Sequence, residues 1–314
     1  MQFLPAERFV AIIIATLVIL DLCLLQVKDV HLDGPGYAAL IGIGALAVTA
    51  GQLYRRFRDE PAIALTTTAT GLFILFTIAG SVFNYLLLPV QFPVIDPLLA
   101  SFDTAIGFHW PDLVIWASQH ATIGAVLQAV YFSSQAQLIV ILLFLGFSGR
   151  AQALHRFLLT GVLGGLLAIL SWSFLPSFGA SSVYDLPPEV LQAQPLAVGP
   201  AYGAELVRLG REGVTYLTPA NVLGLIGFPS FHTIMALMSV LFLWPFRRLF
   251  LAAALLNLVM LPAILIQGGH HLSDVLGGGG VFLVAYLLSG IVLRQGAAAT
   301  AALTAADEPA GARG

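Results

Sequence analysis

The sequence predicts an all-α, polytopic transmembrane helix bundle of about eight spans, with a six-helix core and short interfacial helices, on three observations. The chain of 314 residues is 59% hydrophobic and only 9% charged, against roughly 25% charged side chains in an average soluble domain. So few charges cannot cover a water-facing surface. The apolar residues fall into successive runs near the ~20 residues that a bilayer crossing needs. None of these runs alternates with period two, which argues against a transmembrane barrel.

In chain order the runs are Phe9–Val27, Tyr37–Tyr54, Ala62–Leu88, Thr122–Phe147, Phe157–Leu175, Gly227–Pro245, Leu249–Gln267 and Leu272–Leu293. The first is flanked by Glu7 and Arg8, and Lys28-Asp29 follows it without a small-residue cleavage pattern. It therefore reads as a retained span and not as a signal peptide. Between the third and fourth runs, Pro97–Phe108 and Pro111–Ser118 are expected as amphipathic helices in the membrane interface. Asp96, Asp103, Asp112, His109 and His120 read as polar decoration of those helices. Between the fifth and sixth runs, the polar, proline-bearing stretch Pro176–Leu225 is expected as a long loop without regular structure, the kind that serves as a lid or binding element. The Ala/Thr/Gly-rich tail after Arg294 is expected to be disordered.

Charge sets the expected orientation, because cytoplasmic loops are enriched in Lys and Arg near span ends. With eight spans, Arg8, Arg55, Arg56, Arg58, Arg150, Arg156, Arg247, Arg248, Arg294 and Arg313 fall on one side, and only Lys28, Arg208 and Arg211 on the other. This places both termini in the cytosol of a plasma (inner) membrane protein, with the long loop and the turn Gln267–His271 facing outward. A net charge of −3 gives no basis for a nucleic-acid partner, and the single Cys23 excludes an intrachain disulfide.

Ionisable groups at membrane depth are costly and are functional candidates by default. Two clusters qualify, Gly227-Phe228-Pro229-Ser230-Phe231-His232-Thr233 at the outer start of the sixth run and Gly268-Gly269-His270-His271-Leu272-Ser273-Asp274 at that of the eighth. One helix inward, a tight turn and one helix outward separate His232 from His270, so both imidazoles should return to the same face. Asp274 lies four residues after His270 and stacks on it along a helix face. It can hold the proton of one ring nitrogen and free the other for attack. His271 has Val275 at the corresponding place and reads as a supporting residue. Ser230 after Pro229 is a helix N-cap candidate, where free amides and the positive end of the helix dipole favour an anion. His232 would then stand beside a bound phosphate as a proton donor. Gly277–Gly280 reads as close helix packing, and Asp21 in the first run as a buried polar contact.

Pro229-Ser230-Phe231-His232 followed by His270-x-x-x-Asp274 resembles the type-2 phosphatidic acid phosphatase superfamily, and the Gly-Gly-His-His form looks closest to its inositol phosphorylceramide synthase-like branch. The resemblance covers residues 62–294. It implies a six-helix catalytic domain there, with residues 1–61 as two additional N-terminal helices and 295–314 as a cytosolic tail. It further implies that His270 is the nucleophile forming a phosphohistidine, that Asp274 orients it, that His232 protonates the leaving alcohol and that Ser230 helps hold the phosphate, with no metal and no cofactor. The sequence departs from the family where its third motif begins Ser-Arg, since Ala263 and Ile264 stand there, and it lacks the first motif's Lys and Arg-Pro. Arg208 and Arg211, the arginines on the outer side, are the expected replacements for phosphate binding.

The function so implied is a membrane lipid phosphatase or phosphotransferase acting on a phospholipid or lipid-phosphate substrate at the non-cytosolic face. Transfer of a phospho-headgroup to an alcohol or acceptor lipid is the alternative to hydrolysis, and a non-catalytic lipid carrier on the same scaffold is the rival from another class. The sequence leaves the oligomeric state open.

Overall fold

A computed structural model describes residues 3–306, and Arg313 with the end of the tail lies outside them. The chain folds as an all-α bundle. Its helices are α1 (Pro5–Lys28), α2 (Gly34–Phe57), α3 (Pro61–Leu86), α4 (Asp96–Ala105), α5 (Trp110–Ser118), α6 (Ala121–Phe147), α7 (Ala151–Phe174), α8 (Pro188–Ala193), α9 (Pro200–Glu212), α10 (Phe231–Leu241), α11 (Arg247–Gln267) and α12 (Leu272–Ala306). Proline occupies the first turn of α1, α2, α3 and α9, where its missing N–H would have no partner in any case.

Among the described residues, 7 helices are long and apolar enough to cross a bilayer: α1, α2, α3, α6, α7, α11 and the part of α12 up to Gly296. The remaining expected span, Gly227–Pro245, is regular over only the 11 residues of α10. Beyond Leu241 the backbone tightens, with Leu243 N–H donating to Val240 O, Trp244 to Leu241 O and Phe246 to Leu243 O. At ~1.5 Å per α-helical residue and ~2 Å per residue of tighter turn, Phe231–Phe246 rises about 26 Å. It carries the chain most of the way to the start of α11.

Two further departures follow from local sequence. The stretch expected as an irregular loop contains α9, bounded by Pro200 at its first turn and Gly213 just past its end, where φ is 76°. That is the proline-in, glycine-out signature of a helix. α12 continues through Ala306, because the alanine-rich run after Gly296 has the highest helix propensity of any residue type and meets no proline before Pro309. The two short helices expected between the third and fourth runs stand as α4 and α5. A two-residue parallel bridge, His31–Leu32 with Tyr216–Leu217, ties the α1–α2 turn to the stretch after α9.

Interior packing is aliphatic and aromatic, centred on Leu72, Phe76, Leu145, Leu154, Phe157, Leu158 and Met238 from α3, α6, α7 and α10. α3 packs against α1 and α2 on one side and against α6 and α7 on the other. At the arginine-bearing end, Glu7 of α1 is fully buried and receives both guanidinium nitrogens of Arg55 from α2, each at 2.7 Å. His155 of α7 lies 3.5 Å from the same carboxylate. One anion thus fixes three helix ends. Removing one partner of a buried ion pair leaves the other charge uncompensated and typically costs about 3–5 kcal/mol. Glu7→Ala is therefore expected to lower the thermal unfolding midpoint in detergent clearly, whereas Glu7→Gln, which keeps an acceptor for Arg55, should fall between it and wild type.

Candidate active site

α10 and α12 both begin at the end of the bundle where α3, α7 and α11 finish, and there the two sequence clusters meet. Ser230 caps α10, its Oγ accepting from Thr233 N–H at 3.4 Å. Its own N–H donates to Asp274 O at 3.0 Å and so locks the start of α10 onto α12. Close approach requires glycine at 278: a Cβ there would collide with the Ser230 carbonyl. The glycine run is therefore a packing feature at Gly277 and Gly278, while Gly279 and Gly280 face open space.

His270 is buried, and its Nδ1 lies 3.1 Å from Asp274 Oδ2. The same carboxylate oxygen accepts the His271 N–H at 2.8 Å. An Asp274 carboxylate favours the tautomer with the proton on Nδ1 and the lone pair on Nε2, which lies 3.5 Å from Ser230 Oγ. Burial, followed by the positive charge of His271, pushes the His270 imidazole down to about 4, so it is a neutral base at physiological pH. The ring of His232 stands 6.3 Å from that of His270, centroid to centroid. Tyr131 of α6 stacks on the other face of His232 at 4.3 Å. The amides of Phe231 and His232, in the first turn of α10, have no partner among the described residues.

Four of the expected residues, Ser230, His232, His270 and Asp274, are thus brought together, and Arg208 and Arg211 are not. Both lie on the exposed face of α9. Leu206, Leu209 and Gly210 of the same helix face inward. Arg208 is held by Glu205 at 2.6 Å and Glu212 at 2.8 Å, and Arg211 makes no ion pair among the described residues. Lys28, the other cation expected on the outer side, donates to Leu88 O at 2.6 Å. The two arginines expected to take the missing motif's place thus stand apart from the clustered residues, and binding phosphate would require Arg208 to leave two carboxylates.

Two aspartates also lie elsewhere than the sequence suggests. Asp96 and Asp103 are not surface decoration; both are buried. Asp96 accepts from Ser177 Oγ at 2.7 Å, Phe178 N–H at 2.9 Å and Gly179 N–H at 3.0 Å. Asp103 caps α12, accepting from Leu272 N–H at 2.8 Å, Ser273 N–H at 3.0 Å and Ser273 Oγ at 2.9 Å. Between them lies His271, its Nε2 3.3 Å from Asp96 and its Nδ1 3.6 Å from Asp103. The spacing held the signal: Asp96, Leu99 and Asp103 recur on one buried helical face. Tyr131 gave no comparable sign, being one aromatic in a long apolar run.

Residues 97–288 match the sequence profile described as the PAP2 superfamily. The chain belongs to the PAP2 superfamily. Membership points to phosphatase or phosphotransferase chemistry on lipid phosphates. The match begins inside α4 and ends inside α12, so it takes in Ser230, His232, His270 and Asp274 and leaves α1, α2 and α3 outside. No curated protein and no solved structure matches the chain significantly.

The loops around the site approach so closely that glycine is required at 179. Its φ is +85°, and a Cβ would come within 2.5 Å of the Gly269 carbonyl beside His270. Gly179→Ala is expected to lower activity at least about tenfold, through displacement of the 268–271 loop. Arg208→Ala, by contrast, should stay within about twofold of wild type, since exposed ion pairs contribute at most ~1 kcal/mol. A steady-state assay of both variants checks the pair of outcomes.

Proposed function

We propose that this PAP2 superfamily protein is a lipid phosphatase or phosphotransferase that works through a phosphohistidine on His270, without a metal ion. The observation that carries the reading is the pair of imidazoles 6.3 Å apart, one backed by a carboxylate and the other beside the unfilled amides of a helix start. A tetrahedral phosphate has the size to bridge them. In the first step Nε2 of His270 attacks phosphorus, the P–O bond to the leaving alcohol breaks, and protonated His232 gives its proton to the departing oxygen. Asp274 holds Nδ1–H and stabilises the charge that develops on the ring. In the second step water or an alcohol attacks the phosphohistidine, His232 takes the incoming proton, and His270 is released neutral. Ser230 and the Phe231 and His232 amides supply donors to the phosphoryl oxygens, as helix N-termini do for anions. The tyrosine stacked on His232 fixes the plane of its ring.

The catalytic unit in this reading is 62–294, with α1 and α2 as an N-terminal addition. The arginines at the far end of the bundle support an orientation with that end and both termini in the cytosol of the plasma membrane, and with the histidines facing outward.

Within this reading, transfer of a phospho-headgroup, as in the inositol phosphorylceramide synthase-like branch, is favoured over monoester hydrolysis by one feature. No Lys or Arg among the described residues contacts the four clustered site residues. A phosphodiester brings one negative charge and a monoester nearly two, and uncharged amides hold the former at smaller desolvation cost. The expected result is a kcat/KM for a phosphodiester phospholipid with an alcohol acceptor at least about tenfold above that for phosphatidic acid. Equal or reversed values would assign hydrolysis.

The phosphohistidine is tested by trapping. Brief incubation with 32P-labelled phospholipid and an alkaline quench should leave label on wild type and none on His270→Ala. Intact protein that never takes label would leave the scaffold as a lipid carrier. The neutral nucleophile sets the acidic limb of the pH profile: kcat/KM should fall as pH drops through about 4, where the buried His270 gains its second proton.

A further inference from the structure

We propose that His271, gripped as an imidazolium between Asp96 and Asp103, is a positioning residue that holds the adjacent His270 for attack and presents a positive charge behind it. The proposal rests on the reading of His270 as the nucleophile. Its basis is geometric. Each ring nitrogen of His271 faces a carboxylate, at 3.3 Å and 3.6 Å. A neutral imidazole always turns one lone pair outward, which here would oppose an anion at close range. The cation removes that opposition at both nitrogens. The two carboxylates cannot rotate away, since backbone amides and serine hydroxyls hold them from the other side. They also sit at opposite edges of the ring and do not converge on one point.

The charged groups facing His271 are Asp96 and Asp103 from α4, Asp274 from α12, and His270 on its own loop. Burial would lower the His271 imidazole. The contact with Asp96 and the charges of Asp274, Asp96 and Asp103 outweigh burial and hold it above its ordinary value. Its cation therefore offsets negative charge that would otherwise surround the nucleophile and repel an anionic substrate. The same charge disfavours a second proton on His270, so the attacking nitrogen keeps its lone pair. Because the His271 N–H donates to the Asp274 oxygen that also holds His270, a shift of His271 re-aims the nucleophile directly.

The test compares wild type, His271→Gln and the double variant His271→Gln/Asp96→Asn, purified in detergent, with dioleoyl phosphatidic acid and phosphatidylinositol in mixed micelles as probes. His271→Gln is expected to lower kcat about tenfold or more on whichever probe turns over, with KM within about twofold, and to move the acidic limb of the pH–rate profile upward by about one unit. The double variant, which removes a cation and an anion together, should bring the limb back toward wild type. A purely structural role would reduce the yield of folded enzyme and its thermal midpoint while leaving the limb in place. Folded His271→Gln with a wild-type limb and kcat overturns the inference. Should that variant not fold, 15N-histidine spectra of the wild type decide: at least one imidazolium is expected at pH 7.5, and seven neutral histidines would overturn it. His270→Ala run alongside separates the two readings. If it is inactive while His271→Gln is normal, the nucleophile stands and the positioning role fails; if His270→Ala is active, the nucleophile itself is lost and the inference falls with it.

Discussion

A carboxylate removed from water is tolerable only while its oxygens are engaged, and the Asp96 side chain organises the mouth of the bundle by that requirement. Its oxygens gather a serine hydroxyl and two consecutive amides from the segment after α7. That segment in turn receives Gly227 N–H on Ser177 O, which sets the approach to Ser230, and it lies against Gly269, which sets the turn carrying His270. Hydrogen bonds to a charged acceptor contribute roughly 1.5–3 kcal/mol each, so a few of them suffice to immobilise backbone that has no regular structure of its own. Asp103, two turns further along the same short helix, does for the start of α12 what Asp96 does for the loops. α4 crosses no membrane, yet it fixes the relative position of the two histidine-bearing segments.

The parts of this arrangement that were legible in the sequence are those governed by local rules. Length and hydropathy located the spans, since bilayer thickness acts on each helix separately. The four-residue step from His270 to Asp274 and the cap at Ser230 were readable because a helix start has fixed chemistry wherever it occurs. α9 was equally readable from Pro200 and Gly213, and was hidden only by the density of prolines around it. What could not be read was partnership across distance. Asp96 lies 2.7 Å from a serine of the α7–α8 connection that no periodicity links to it, and a charged residue on an amphipathic helix is by default on the wet side. Two aspartates in one register with Leu99 contradicted that default, because side chains three and four residues apart share a helix face.

Arg208 and Arg211 illustrate the opposite failure. Their type suited phosphate and their side of the membrane agreed, so both matched by composition. In the structure the face of α9 turned inward is occupied by Leu206, Leu209 and Gly210, and a side chain two positions away from that face points outward. A guanidinium satisfied by two carboxylates in water has little reason to desolvate.

A site that works without arginine has to find its positive potential elsewhere. The start of α10 offers about half an elementary charge concentrated on unfilled amides, and the dry surroundings make each such donor count for more than it would in water. The start of α12 is unavailable for the same task, because Asp103 already occupies its first amides. The two helix starts therefore divide the work: one is filled by the protein's own carboxylate and is rigid, the other is open and can receive an oxygen of the substrate. In the proposed mechanism that division also accounts for the nucleophile's place at the filled start. There the ring of His270 has to keep its aim while a bond forms, whereas the ring of His232 has to follow a proton to the leaving oxygen and back, with a stacked tyrosine to limit its motion.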